Sequence, residues 1–131
     1  INEEGLNATY VLDYMDHLHG QFDLLFNRVC WYYCFNDKSF LKTVYDAIKP
    51  GGAACLVLHN EYRVFHNKLP WYKKVPLWIT YYLNEWFNLK IGHVMPSTKK
   101  IRRLFAAYPF NEISIREYGN NHDAILILFK K

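Results

Sequence analysis

Cysteine, glycine and unbroken apolar sequence are all scarce in this 131-residue chain. Its three cysteines, Cys30, Cys34 and Cys55, are an odd number. That suits a reduced intracellular protein better than a disulfide framework. Cys30 and Cys34 stand four apart and would face one another on a helix. No CxxC pair and no second ligand pair completes a zinc site, and two small buried apolar residues is the simpler reading. The six glycines stand at 5, 20, 51, 52, 92 and 119, and none makes a Gly-x-Gly loop. The stretch from Leu69 to Leu89 is broken by Pro70, Lys73, Lys74, Pro76 and Glu85, so no run reaches transmembrane length. The start, Ile1 to Leu6, is acidic and lacks the apolar centre of a secretory signal. The first residue is isoleucine, which suggests a fragment, a processed product or a trimmed chain. A cytoplasmic location is the expectation.

What the chain has in quantity is apolar and aromatic side chains. Apolar residues make up 51% of it, enough for one domain with a real core and too many for a disordered tail. Nine of the 24 aromatics crowd between Tyr62 and Phe87. Charge is uneven as well. Residues 1–62 carry four basic against eight acidic side chains, and residues 63–131 twelve basic against four acidic. The second half therefore either favours anionic ligands or an anionic membrane surface, or is a solvated basic face.

The hydrophobic pattern predicts an α/β order of elements. Residues 8–13 read as a short strand ending in an acid, and residues 22–27 as a second strand buried on both faces. Asn36 or Asp37 caps a helix in which Phe40, Leu41, Val44 and Ile48 recur at helical spacing. Lys49 closes its last turn, and Pro50-Gly51-Gly52 terminates it. Residues 53–58 form a third buried strand ending at His59 and Asn60. Residues 61–96 are an aromatic and basic insertion. It contains a helix over about 77–89, with Trp78, Tyr82 and Leu89 on one stripe and Tyr81 and Trp86 flanking it. Ser97 caps a helix carrying Ile101, Leu104, Phe105 and Tyr108. A hairpin closes the chain: 112–118, a turn at Gly119-Asn120-Asn121, and 124–129. Alternating strands and helices argue for an α/β sheet with helices on both faces, and the hairpin adds one antiparallel strand.

The segment Phe22 to Leu58, FDLLFNRVCWYYCFNDKSFLKTVYDAIKPGGAACLVL, resembles the fourth strand, following helix and fifth strand of class I S-adenosylmethionine-dependent methyltransferases, in a type 11/12-like branch. The matching pieces are Phe22-Asp23-Leu24-Leu25, an acid or amide before a Phe-Leu helix, and Ile48-Lys49-Pro50-Gly51-Gly52 before an apolar strand. The resemblance implies a partial Rossmann-like sheet, with residues 1–131 one incomplete methyltransferase-like domain and 61–96 a substrate lid. It implies that the first strand and its Gly-x-Gly loop, and the acid that holds the ribose, lie upstream of Ile1.

The same resemblance assigns roles. Asp13 would accept from the adenine amino group, with Tyr14 or Met15 offering a backbone amide. Asp16 is a rival for the acid, and capping a turn is the plain alternative for Asp13. Asn27, Arg28 and Val29 would flank S-adenosylmethionine, while Trp31 either packs on the sheet or walls the pocket. His59 and Tyr32 are the candidate catalytic groups. A histidine often stands near the position of Tyr32 in small-molecule members, so the tyrosine weakens a base-catalysed reading, and His59 is equally open to a structural role. The remaining histidines have no metal-ligand spacing.

The parent chain is then expected to methylate a small-molecule or lipid-like acceptor, with this segment inactive alone. A non-catalytic methyltransferase-like interaction module is the alternative. The insertion's aromatics are open to four readings: a lid on its own sheet, a pocket for a planar substrate, a peripheral membrane patch, or base stacking. Nucleic acid is the least expected partner. The missing strands would leave open sheet edges, which a domain-swapped or edge-paired oligomer could close.

Overall fold

A computed structural model describes residues 18, 20–28, 30–60, 68–91 and 96–131, with the backbone alone at 32 and 33. The strand expected over 8–13 lies outside the described residues, as do 61–67 and 92–95 of the insertion. Four strands form one sheet: β1 (Phe22–Arg28), β2 (Ile48–His59), β3 (Glu112–Tyr118) and β4 (Ala124–Lys130), in the order β1-β2-β4-β3. β1 and β2 are parallel, from Leu24 opposite Ala53 to Arg28 opposite Val57. β4 runs antiparallel to both β2 and β3. The helices are α1 (Asp37–Asp46), α2 (Trp71–Phe87) and α3 (Thr98–Phe105), and a short 3-10 turn spans Cys30–Tyr33.

Strand alternation sorts the sheet into two faces. Leu25, Leu56, Leu58, Ile125 and Ile127 point to the face under α1 and α3 and are buried there. Phe40, Leu41 and Val44 of α1 and Ile101, Leu104 and Phe105 of α3 meet them, which is the stripe the helical spacing predicted. Trp31 completes this core, fully buried, with its ring 4.7 Å from Phe40 and 6.4 Å from Phe105. Each such side chain contributes about 1.5–3 kcal/mol by leaving water. The other face is different. Leu24 and Phe26 of β1 are 68% and 66% exposed, and Leu128 of β4 is exposed beside them. Among the described residues no helix covers this face, and β1 has β2 as its one neighbour. The described residues place helices on one face; the rest of the α/β expectation, a sheet with a closing antiparallel hairpin, is as read from the sequence.

The structure corrects two boundaries. α1 ends at Asp46 with Ala47 as its cap, and the Ala47 N–H donates to the Thr43 carbonyl at 3.0 Å. Lys49 and Pro50-Gly51-Gly52 belong to β2 rather than to a helix terminus. Phe22 pairs with Ile48 and Leu24 with Ala53, so β2 bulges between these pairs. Gly51 takes φ +81 there, and a Cβ on Gly52 would stand 2.9 Å from Ile48 Cγ2 and 3.0 Å from the carbonyls of Asp23 and Lys49. The glycines serve a strand bulge, and a bulge also tolerates Pro50. The second correction is α2, which starts at Trp71 rather than near Leu77 and continues through Pro76. The amides of Lys73 and Lys74 donate to the Pro70 carbonyl at 3.0 and 3.3 Å, so a turn is already wound before Pro76 is reached.

Candidate ligand-binding edge

In an open α/β sheet, ligands bind beyond the carboxyl ends of the parallel strands. Here that edge is formed by Asn27 and Arg28 of β1, the 3-10 turn, the start of α1, and His59 with Asn60 of β2. Asn36 caps α1, its side-chain oxygen accepting from the Lys38 and Ser39 amides at 3.1 Å each. The same side chain donates to the Asn84 and Glu85 carbonyls of α2 at 3.4 and 3.3 Å. One amide thus finishes a helix and ties the aromatic insertion to the edge.

Asp37, the first residue of α1, is the hub of this corner. It is 2% exposed. Trp31 Nε1 and the Tyr81 hydroxyl each donate to its carboxyl oxygens at 2.8 Å. Burial, and then the neighbouring Asp37, push the Tyr81 phenol far above its ordinary value. Its proton therefore stays in place, and Tyr81 is a permanent donor. Lys38 reaches Glu85 at 3.0 Å, and Lys100 of α3 lies 5.3 Å above the Tyr81 ring. Between α2 and α3 a cleft of about 190 Å³ is lined by Trp78, Tyr82, Ser97, Lys99, Lys100 and Arg103.

The structure divides the predicted site residues between the two faces. Asn27 is buried on the covered face. Arg28 and His59 are exposed on the open face, with Arg28 opposite Val57 and His59 two residues further along β2. Their Cα atoms are therefore about 8 Å apart by strand geometry. Asn60 is structural: its side chain donates to the His122 carbonyl at 2.9 Å and its amide to the Asp123 carbonyl at 2.7 Å, pinning β2 to the closing turn. Tyr32 lies in the 3-10 turn. Asp13, Tyr14 and Val29 lie outside the described residues. Of the two readings of Trp31, the structure selects core packing. Sequence reasoning treated Asp37 only as a cap and passed over Lys100 and Arg103. Nothing local marks Asp37 as a buried acceptor, because its two donors come from six residues before it and 44 residues after it.

No protein-family model and no curated protein matches the sequence. Solved structures do. A possible exported protein from Bordetella parapertussis superposes with a TM-score of 0.58 at 15% identity, over 89% of this chain and 42% of that one. An S-adenosylmethionine-dependent methyltransferase from Methanosarcina mazei gives 0.52 at 16% identity, over 91% and 65%. Human N-acetylserotonin methyltransferase gives 0.50 at 17% identity, over 91% and 32%. The chain thus spans about a third to two thirds of the length of these structures. The four-stranded mixed sheet of the described residues, with the helices that pack on it, has a fold similar to that of S-adenosylmethionine-dependent methyltransferases.

Proposed function

We propose that this chain is the carboxyl-terminal half of an S-adenosylmethionine-dependent methyltransferase whose parent chain acts on a small-molecule or lipid-like acceptor. The observation that carries this reading is the strand order β1-β2-β4-β3, parallel at β1–β2 and closed by a reversed hairpin, in a fold similar to such enzymes. The described residues fit one wall of a cofactor cleft. Buried Asn27 and exposed Arg28 stand at the carboxyl end of β1, next to a 3-10 turn anchored by Trp31. The glycines present do not fit the opposite wall, since none forms a Gly-x-Gly loop and the Gly51-Gly52 pair sits in a bulge of β2.

S-adenosylmethionine would supply an electrophilic methyl group, and alignment of the acceptor would supply most of the acceleration. In this reading Asp13 and Tyr14 hold the adenine, while Asn27, Arg28 and Val29 flank the cofactor. His59 and Tyr32 are the candidates to accept a proton where the acceptor must lose one. The insertion covers the acceptor side, which agrees with the bonds from Asn36 and Asp37 to α2 at this edge.

Calorimetry with S-adenosylhomocysteine tests the reading. The parent chain, extended upstream of Ile1, is expected to bind, with affinity falling about tenfold in Arg28→Ala, or about 1.4 kcal/mol. The 131-residue chain alone is expected not to bind. A parent without an upstream glycine-rich strand-turn-helix, or one that fails to bind, would leave the alternative: a non-catalytic interaction module. The uncovered apolar sheet face is the observation in that module's favour.

A further inference from the structure

A helix resting on a folded domain normally turns its apolar stripe inward. α2 does the opposite. The side that meets the rest of the molecule is polar: Asn84 is fully buried, Tyr81 presents its hydroxyl to Asp37, and Glu85 reaches Lys38 and Lys100. The outward side repeats at positions 71, 75, 78, 79, 82 and 86, spacings that stack along one helix face. It carries Trp71, Val75, Trp78, Ile79, Tyr82 and Trp86, all exposed, and no charged residue. Trp71 is 77% and Trp86 68% exposed. Phe87 at the last helical position, and Leu89 and Ile91 beyond it, are also exposed and apolar.

Among the described residues, the exposed charges that flank this stripe are basic. Lys68, Lys73 and Lys74 stand at its start, and Lys99 and Arg103 beside Trp78 and Tyr82 across the cleft. The one acid of α2, Glu85, is turned inward, its side chain 6% exposed. Tryptophan and tyrosine are the side chains that favour a boundary with an apolar body on one side and water on the other. No helix among the described residues is long and apolar enough to cross a membrane. An apolar stripe rich in tryptophan with a cationic fringe is the pattern of a helix that lies in the headgroup layer.

We propose that α2 is an interfacial helix that seats its outward aromatic face in an anionic lipid bilayer. The lysines at its start, with Lys99 and Arg103 beside it, would bring anionic headgroups to it, and the stripe would enter the acyl boundary. The side that holds α2 to the domain would stay dry and unchanged, because its bonds to Asn36, Asp37 and Lys38 face the other way. This binding does not require methyl transfer, so it stands or falls apart from the catalytic reading.

Three of the four tryptophans lie in α2, which makes the chain its own probe. With vesicles of phosphatidylcholine containing a third phosphatidylserine, tryptophan emission is expected to shift to the blue and the chain to float with the lipid. Vesicles of phosphatidylcholine alone should bind about tenfold more weakly, and added salt should weaken the anionic case. Trp71→Ser combined with Trp86→Ser should lower partitioning by about tenfold or more without changing circular dichroism, since both rings already face solvent. Lys73→Gln with Lys74→Gln should weaken anionic binding severalfold and leave neutral binding alone. Leu24→Ser with Phe26→Ser, on the open sheet face, should leave binding intact. Absence of vesicle binding, equal binding to neutral lipid, or loss through the sheet variant in place of the helix variant would overturn the proposal. So would a lipid-independent dimer that the Trp71 and Trp86 substitutions dissociate, because the occupant would then be a second copy of the chain.

Discussion

Asp37 shows how much one buried acceptor can carry. Asp37→Ala leaves the Trp31 indole N–H and the Tyr81 hydroxyl without their acceptor inside the fold. The expected cost is about 3 kcal/mol, read from the urea midpoint, because an unmet buried donor costs about 1–3 kcal/mol. Tyr81→Phe removes one bond and should cost about 1 kcal/mol at neutral pH. Tyr81 also sets an alkaline limit. Its phenol is raised above the ordinary 10.0 in the fold, whereas the unfolded chain ionises there. The stabilisation is complete below pH 10 and is lost as pH rises beyond it, since only the unfolded state then releases the proton. Urea titrations above pH 10 should show stability falling with pH, with a shallower slope in Tyr81→Phe. At Gly52 the limit is space. Gly52→Ala places a methyl against Ile48 and two carbonyls, and roughly 2 kcal/mol of destabilisation is expected in thermal unfolding.

At the scale of elements, α2 is fastened mainly by polar groups, so it should be the first helix to loosen. Asn36→Ala removes the cap of α1, worth about 1 kcal/mol, and also the two bonds to the end of α2. Hydrogen exchange should quicken around Asn84 to Asn88 more than within α1. Asn36→Ser keeps a capping oxygen on a shorter side chain and should restore α1 while leaving α2 loosened. The sequence located most elements closely because their signals are local. β1, α1, α3 and the closing hairpin follow from apolar spacing, from the caps Asn36 and Ser97, and from the Gly119 turn, which takes φ +91. It misplaced what depends on pairing. Lys49 to Gly52 reads as a helix stop, yet the register against β1 draws it into a strand, and α2 is wound ahead of Pro76 by its first turn. The sequence sets Tyr81 on the flank of the Trp78 and Tyr82 stripe without saying that it is buried, and the structure buries it against Asp37.

For the whole molecule, the consequential asymmetry is that, among the described residues, helices cover the sheet on one face. Parallel strands are ordinarily covered on both. Exposed Leu24 and Phe26 on a strand with one described neighbour make the chain prone to associate through β1. Light scattering should report species larger than one chain, and Leu24→Lys with Phe26→Lys should shift them toward the monomer. If that shift is absent, association through the sheet face is excluded.

Periodicity, caps and turn residues were enough to identify an α/β chain, its element order from Phe22 onward and its carboxyl edge, because these depend on contacts a few residues apart. The segment Phe22 to Leu58 was enough to point to a methyltransferase-like sheet. Tertiary structure alone decided which side of each element is buried. It put Asn27 under the helices and Arg28 and His59 on the open face, made Asp37 the shared acceptor of Trp31 and Tyr81, and turned the aromatic stripe of α2 outward. A spacing pattern defines a face but not its direction. The direction is set by partners distant in sequence, here by polar groups on α1 that hold the opposite side of the helix.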